Sequence, residues 1–331
     1  MADKARLKDL YTTAKSINNI QKGSLDTYTL FIEHGYNILR KNGNLTYIVP
    51  ISFTSSDSLT GVHKLVKDNC SELKVSSYAV RPQPVFENAV VNTSIIHFVK
   101  TESPCTSISS TKMYRKGHNF NLQNLIDNLE FVEVNNLCLW GRIPKIGTAI
   151  EKSILAKLLN HKKVREFTIN MGSPIYYRFA GGRYFKVITN YSNGSSAERR
   201  IDFPDNIADT IGCILSSNLS FWFYQIYSDN LNWKNIEIES FTIPPMTDEI
   251  IQDLRKLYNE YLADIERHAN VRQSSGDSNY NVSSFKEYKI VRSKAIIDRI
   301  DDIICPLYGL TKTETDFIKN YELEFRLSGD E

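Results

Sequence analysis

The chain of 331 residues has few of the features that mark secreted, membrane or metal-binding proteins. Its five cysteines are dispersed and form no CxxC pair. This favours reduced thiols in a cytoplasmic protein over a disulfide framework or a zinc site. No apolar run approaches the roughly 20 residues that span a bilayer, and the polar first residues do not resemble a secretory signal. We therefore expect a cytoplasmic protein that has no metal site and does not associate with a membrane.

A strong net charge is also absent, because 40 basic residues nearly balance 38 acidic ones. The charges are unevenly placed, however. Residues 142–200 hold twelve Lys and Arg against three acids, whereas residues 201–249 hold one Lys against eight acids. A basic block of this size is typical of a nucleic-acid-binding surface. The alternative is an ordinary solvated face whose charge the acidic block balances in space.

The stretch from Asp26 to Lys100 predicts part of an α/β domain. Apolar residues at helical spacing predict a helix over Thr27–Leu39, and Leu45–Val49 predicts a buried strand. Gly43, between them, suits the left-handed residue that ends a helix. Such a helix, turn and strand form half of a βαβ unit. Residues 73–80 and 90–99 predict two further strands that could pair antiparallel.

The remainder of the chain predicts mixed elements. The Ser- and Thr-rich segment 101–111 indicates a linker or domain boundary. After it we predict a helix over 150–159, a hairpin around Gly181–Gly182, a helix over 207–227, a strand over 236–243, and two long helices over 248–267 and 285–305 that form an antiparallel hairpin. Thr311 and Glu314 fit a capping box that begins a last helix.

Several segments together resemble the TaqI-like adenine-N6 DNA methyltransferases, the γ-class enzymes of type IIG restriction–modification systems. That family has a segment LY-x-x-F(I/L)E, a glycine turn and a strand ending in (I/V)VP, followed by a hairpin segment VF-x-x-(A/K)-x-V-x-(T/S). The matching residues here are Tyr28, Phe31 to Glu33, Gly43, Ile48 to Pro50, Val85, Phe86, Ala89, Val91 and Thr93. The later stretches SSNLSFWFYQIYSDN, ESFTIPP and LYGLTKTETDFI resemble the family's C-terminal segments in the same order.

This resemblance implies a fold and a set of roles. It implies that residues 1–110 form the C-terminal half of a Rossmann-like methyltransferase sheet. Residues 111–245 would then form an α+β target recognition domain, and residues 246–331 a helical hairpin with a C-terminal helix. By the same resemblance, Phe86 stacks on the flipped target adenine, and a stacking surface is what an extruded base needs. The alternative for Phe86 is a core phenylalanine at the start of a strand.

The sequence departs from the family at the cofactor and catalytic motifs. The family's glycine-containing cofactor loop is missing, and no NPP or DPP occurs anywhere. Of the S-adenosylmethionine pocket, only the wall formed by Thr27 and Phe31 could remain, and Thr27 replaces the usual Leu. We therefore expect that the chain alone neither binds the cofactor appreciably nor methylates DNA. We also expect no independent nuclease activity, because no PD-(D/E)xK signature is evident.

Three interpretations remain open at this point. The chain could be a partial catalytic and DNA-recognition portion of a methyltransferase, completed by an N-terminal half or by a restriction subunit. It could instead be a non-enzymatic DNA-binding specificity module, or a truncated remnant.

The expected partner is double-stranded DNA, and the basic, aromatic segments supply the candidate contacts. These are Lys162, Lys163, Tyr176, Arg178, Arg183, Lys186, Arg199 and Arg200. Arginine is the usual partner of guanine, and both basic residue types neutralise phosphates. If Arg183 contacts a base, its change to alanine should weaken specific binding by about 1–3 kcal/mol. The alternative is that alternate residues of these strands face the protein core instead.

Overall fold

The computed structural model describes residues 2–17, 21–86, 89–117, 121–139, 141–181, 186–273 and 284–327. The chain folds into two compact units, residues 1–153 and residues 154–331. Within the described ranges, no helix combines the length and the apolar character needed to cross a membrane. Arg183 lies outside these ranges, as does Gly182 of the predicted hairpin turn.

The first unit combines a sheet with helices. Its helices are α1 (Ala2–Leu10), α2 (Thr27–Ile38), α3 (Ser52–Ser55), α4 (Thr60–Asn69) and α5 (Leu122–Asp127), with 3-10 turns at Thr12–Ala14, Asp57–Leu59 and Asn135–Leu137. Its strands are β1 (Asn44–Pro50), β2 (Cys70–Tyr78), β3 (Thr93–Lys100), β4 (Ser107–Tyr114) and β5 (Val132–Glu133). Helix α6 (Ala149–Leu158) begins in this unit and ends in the second.

The five strands form one mixed sheet in the order β1-β3-β2-β4-β5. Strands β2 and β4 are parallel, whereas β3 runs antiparallel to both of its neighbours. The predicted antiparallel pairing of the second and third strands is therefore confirmed. The predicted linker at 101–111 is wrong, because this segment contains the first half of β4. The Ser110 hydroxyl of this strand is buried and donates to the Pro144 carbonyl over 2.6 Å.

One face of this sheet packs against helices. Leu45 and Val49 of β1 and Val75 of β2 are buried on this face, on which α2 packs against β1 and α4 against β2. Burying such side chains contributes roughly 25 cal/mol for each Å² of apolar surface removed from water. Strand β1 lies at an edge, and its outer side pairs with no strand of the described residues. In the βαβ unit that the sequence indicated, neighbouring strands would be parallel, whereas β1 pairs antiparallel with β3.

The turn between α2 and β1 differs from its prediction in one residue. Asn42, and not Gly43, adopts the left-handed conformation, with φ 60°. Asparagine tolerates this region better than most residues. Gly43 is instead required by close packing, because a Cβ there would lie 2.9 Å from the Arg40 carbonyl oxygen.

The second unit is an α+β structure with small sheets. Its strands are β6 (Lys162–Lys163), β7 (Ser173–Arg178), β8 (Ile188–Thr189), β9 (Glu198–Phe203), β10 (Thr242–Ile243), β11 (Ala269–Gln273) and β12 (Ser284–Tyr288). Its helices are α7 (Ala208–Leu215), α8 (Asn218–Tyr227), α9 (Asn235–Ser240), α10 (Asp248–Arg267), α11 (Lys294–Leu307), α12 (Lys312–Asn320) and α13 (Leu323–Leu327), with 3-10 turns at Val164–Glu166 and Ile290–Ser293.

The core of this unit forms around α8, all of whose residues are buried. Helices α7, α10 and α11 pack together beside it, and the inner face of β7 and β8 lies on α7. The antiparallel pairing of β7 with β8 agrees with the predicted hairpin. The capping box at Thr311 and Glu314 is confirmed by hydrogen bonds in both directions.

Three local predictions for this unit are corrected. The predicted helix over 207–227 is broken at Ser216–Ser217, where the Ser217 hydroxyl accepts a hydrogen bond from Ser220 and caps α8. The predicted strand over 236–243 is mostly helix α9, with strand structure only at its end. The hairpin β11–β12 separates the two predicted long helices, so the second of them begins at Lys294.

Candidate functional site

The first group of candidate residues lies at the carboxyl end of β1 and β2. The Tyr28 and Ser52 hydroxyls lie 2.8 Å apart and join the first turn of α2 to the residues that follow β1. The segment from Ala79 to Asn92 connects β2 to β3 at this same end. It is anchored by a 2.9 Å hydrogen bond from the Ile51 amide to the Asn92 carbonyl. The structure therefore places the start of α2 and the Phe86 segment at one end of the sheet.

Phe86 is exposed at this end. Its residue surface is 42% accessible, and that of the neighbouring Val85 is 40% accessible. The Phe86 carbonyl accepts a 3.4 Å hydrogen bond from the Ala89 amide. Because Phe86 is exposed, its interpretation as a core residue is contradicted. An exposed aromatic residue is available to stack on a planar group.

Thr27 and Phe31 lie on one exposed stripe of α2. Both are exposed, as are His34 and Ile38 one and two turns further along, with accessibilities of 59% for Phe31 and 74% for Ile38. The opposite side of the helix is buried. The two predicted cofactor residues thus form part of an open wall and do not enclose a small molecule by themselves.

A buried carboxylate fixes this orientation of α2. Glu33 accepts four hydrogen bonds, from the amides and hydroxyls of Thr12 and Thr13, at 2.6–2.8 Å. Burial acts to raise the pKa of Glu33, but the four hydrogen bonds outweigh it and the pKa is lowered. The segment that contains Thr12 and Thr13 therefore covers the inner side of α2 and leaves the Phe31 stripe open.

The second group lies on the outer face of β7 and β9. Tyr176 is directly opposite Arg200, and Arg178 is opposite Glu198, so all four side chains share one face. The Arg178 Nε donates to the Ala180 carbonyl over 2.8 Å. Arg200 is exposed, and Tyr176 and Arg178 are half-buried. This arrangement presents an aromatic side chain between two guanidinium groups.

Arg200 is oriented by Asp202 on the same strand. The Arg200 Nε lies 3.0 Å from each carboxylate oxygen of Asp202. The hydrogen bonds from Arg200 lower the pKa of Asp202, and those to Asp202 raise the pKa of Arg200. Part of the basic block is therefore balanced by the acidic block, as the alternative interpretation expected, but the pair still faces solvent.

Arg199 lies on the other face of β9, at the edge of its sheet. Its guanidinium carbon is 4.1 Å from the centre of the Phe179 ring, in a cation–π arrangement. The side chain is exposed. Lys162 and Lys163 lie further back along the chain in β6, paired with β10. Lys162 is exposed and Lys163 is half-buried.

Lys186 occupies a different environment from the other candidates. It is 6% accessible, its Nζ lies 4.0 Å from the centre of the Tyr224 ring, and it donates to the Gly181 carbonyl over 2.9 Å. In this position it cannot reach a phosphate. No periodic pattern in the sequence predicts this burial, because Lys186 lies just before β8, in which Ile188 and Thr189 are both buried. Arg142 and Lys145 of the basic block are buried as well.

One family model matches the first part of the chain. Residues 3–86 match the family model described as Eco57I restriction-modification methylase. This match includes Thr27 and Phe31 and ends at Phe86. No curated protein matches the chain.

Solved structures of restriction–modification enzymes show distant similarity. One is a nuclease-deletion mutant of the Type ISP restriction-modification enzyme LlaGI in complex with a DNA substrate mimic, at 13% identity and TM-score 0.40. Another is the type IIG restriction endonuclease BpuSI, at 8% identity and TM-score 0.30. This chain is covered to 98% and 100%, whereas it spans 42% and 53% of those two proteins. A DrdV–DNA complex is similar over 39% of this chain and 14% of its own, at 15% identity and TM-score 0.29.

Proposed function

We propose that this chain is the DNA-recognition and partial catalytic portion of a site-specific adenine-N6 DNA methyltransferase of the type IIG, γ-class kind. In this proposal residues 1–110 are the C-terminal part of the catalytic domain, residues 111–245 are the target recognition domain, and residues 246–331 are its helical support. The partners are double-stranded DNA and an N-terminal methyltransferase half or a restriction subunit, in the cytoplasm.

The observation that carries the proposal is the position of Phe86. The family-model match ends at this residue, and its ring is exposed at the carboxyl end of the sheet strands. Open α/β sheets bind their ligands at that end. A base extruded from the duplex loses its stacking partners, and an exposed aromatic ring replaces one of them.

The cofactor of the complete enzyme would be S-adenosylmethionine, which supplies the methyl group that the reaction transfers. Thr27 and Phe31 fit one wall of such a site but do not close it, since both are exposed on one helix. We therefore assign to Phe31 only an apolar contact, and we derive no catalytic step from this chain alone.

The first prediction is that the isolated chain does not bind S-adenosylmethionine tightly. Isothermal titration calorimetry of the full chain should show no heat of binding at micromolar concentrations.

Mixing the chain with a polypeptide that carries the cofactor loop and an NPPY tetrapeptide should restore methylation of adenine in duplex DNA. In the restored complex, Phe86→Ala should reduce the methylation rate more than Val85→Ala, a matched exposed neighbour. Tight cofactor binding by the isolated chain would contradict the first part.

A second candidate function is a DNA-binding specificity module without enzymatic activity. The outward-facing Tyr176, Arg178 and Arg200 favour it, because these groups could contact DNA without any catalytic half. The mixing experiment separates the two functions. Duplex binding without restored methylation supports the module, and neither binding nor methylation supports a truncated remnant.

A further inference from the structure

A turn in the second unit presents two apolar side chains to solvent. It runs from Phe167 to Gly172, between the 3-10 turn at Val164–Glu166 and strand β7. Ile169 is 42% accessible, and Met171, at 87%, exposes a larger fraction than any other large hydrophobic residue in the described ranges. The turn therefore places a highly exposed apolar side chain directly after the basic residues Lys162 and Arg165.

This exposure does not arise from a loose backbone. The Ile169 amide donates to the Asp202 carbonyl over 3.0 Å, so the turn continues the β7–β9 sheet beyond β9. The Thr168 hydroxyl donates to the Arg165 carbonyl over 2.9 Å. At Gly172, an added Cβ would lie 2.4 Å from the Phe203 carbonyl oxygen, so the chain lies tightly against β9. The Met171 side chain is therefore held outward by a supported turn.

Basic side chains flank the turn. Lys162 and Arg165 are exposed just before it, and neither forms an ion pair with any residue in the described parts of the chain. Arg200 is on β9, two residues before the Asp202 carbonyl that anchors the turn, and it is exposed but forms an ion pair with the Asp202 carboxylate. Lys162 and Arg165 are therefore the flanking cations that would attract an anionic surface to the turn.

We propose that Met171, supported by Ile169, makes an apolar contact with base pairs when the second unit binds DNA. This inference rests on the proposed DNA-recognition function. Duplex DNA offers both complements in one ligand: phosphates for the flanking cations, and thymine methyl groups or base-step faces for an apolar side chain. A protein partner would fit less well, because its apolar interface cores are depleted in the charges that surround this turn.

The experiment uses the full chain and a duplex selected by the wild-type chain from a pool of random-sequence 30-base-pair duplexes. The dissociation constants for the selected duplex and for the unselected pool are measured by fluorescence anisotropy at several salt concentrations. Met171→Ala should lower the ratio of the two affinities by about tenfold, the equivalent of a lost contact of about 1.4 kcal/mol. The salt dependence should not change, because methionine neutralises no phosphate.

Two control variants sharpen the test. Met171→Leu keeps an apolar side chain and should retain the ratio. Val271→Ala shortens another highly exposed hydrophobic residue, at 71% accessibility in the same unit, and should also leave the ratio unchanged. Thermal unfolding of Met171→Ala should match that of the wild type, since the side chain is exposed.

If Met171→Ala leaves the ratio of the two DNA affinities unchanged, the inference is overturned. This holds also if the variant disrupts a complex with another protein, because the turn would then bind protein and not DNA. A loss of affinity for the selected duplex and for the pool alike, with a changed salt dependence, would overturn it as well. If the wild-type chain selects no duplex at all, the proposed DNA-recognition function itself fails. If the wild type selects a duplex and Met171→Ala binds it equally well, only the inference about Met171 fails.

Discussion

At the scale of single residues, Lys186 shows how burial changes the role of a basic side chain. Its ammonium group lies over the ring of Tyr224, with Trp233 also nearby and no solvent around it. Burial is the largest effect and lowers the pKa of Lys186 to about 7, although the charges of Asp229 and Glu237 act to raise it. A cation–π contact and one hydrogen bond therefore offset only part of the cost of removing this charge from water.

The pH dependence that follows has a definite sign. The pKa of Lys186 is about 7 in the folded chain, below the ordinary value of 10.5 for an unburied lysine. The unfolded chain therefore binds this proton more tightly, and the stability of the fold falls as pH decreases from about 10.5 to about 7. Below pH 7 both states are protonated, and this contribution stays constant.

The second prediction is that Lys186→Met stabilises the chain. Near pH 6 its free energy of unfolding should exceed that of the wild type by roughly 1–3 kcal/mol, because an apolar side chain of similar length replaces a buried charge. The difference should shrink as the pH rises toward 10. Urea unfolding at pH 6, 8 and 10 measures it. An equal difference at all three pH values would show that the charge is not its cause.

At the scale of secondary structure, the sequence predicted an element correctly where residues within that element determine its conformation. Helices α2 and α10 were predicted from apolar periodicity, and the capping box at Thr311 from two side chains three residues apart. Helix α9 was mistaken for a strand because Ile236, Ile238 and their acidic neighbours alternate. Its real determinant is the carboxylate of Glu237, which accepts a hydrogen bond from the Lys234 amide at the helix start.

The candidate site was less predictable than these elements. The exposure of Phe86 excludes only the alternative of a core residue, and the shared face of Tyr176 and Arg200 arises from the pairing of β7 with β9, which the sequence did not predict. The environment of Lys186 was not predictable in detail, since Tyr224 lies on α8, 38 positions away in the sequence. Strand β4 was missed because its serines and threonine are typical of a linker, and the Pro144 carbonyl that accepts a hydrogen bond from Ser110 lies 34 positions away in the sequence.

Strand β1 and helix α2 leave an uncovered edge in the first unit. Ile48 on β1 is 52% accessible. Phe31 and Ile38 on α2, the helix that precedes β1 in the chain, are exposed as well. The strand carries no lysine, and Pro50, the one residue of an edge-protecting type, lies at its last position. We therefore expect this edge to dominate any self-association of the isolated chain.

The third prediction concerns this edge. Ile48→Lys should reduce concentration-dependent association, because a charge on an edge strand opposes pairing with a second strand. Ile126→Lys is the matched control, since Ile126 on α5 is 51% accessible and belongs to no strand. Sedimentation velocity over a range of chain concentrations compares the two variants. If both reduce association equally, added charge and not the edge is responsible.

At the scale of the whole molecule, fewer basic side chains of residues 142–200 reach the surface than the sequence suggests. Three of its members, Arg142, Lys145 and Lys186, are buried, and Lys157 forms an ion pair with Glu314. The exposed members that remain include Lys162, Arg165, Arg199 and Arg200. Net charge alone would not direct the chain to DNA, so any affinity must arise from the local placement of these side chains.

The last prediction therefore concerns how strongly DNA affinity depends on salt concentration. If four to five exposed cations each neutralise one phosphate, the slope of log K against log salt concentration should be about −4, at roughly −0.9 per contact. Arg199→Ala and Lys162→Ala should each reduce its magnitude by about 0.9, whereas Lys186→Met should leave it unchanged because that ammonium group is buried. Lys256→Ala is the control, since its side chain is 77% accessible but lies on α10 beside Asp253. Anisotropy titrations between low and physiological salt measure each slope. An equal change for Lys256→Ala would mean that binding follows the overall field of the chain and not a defined surface.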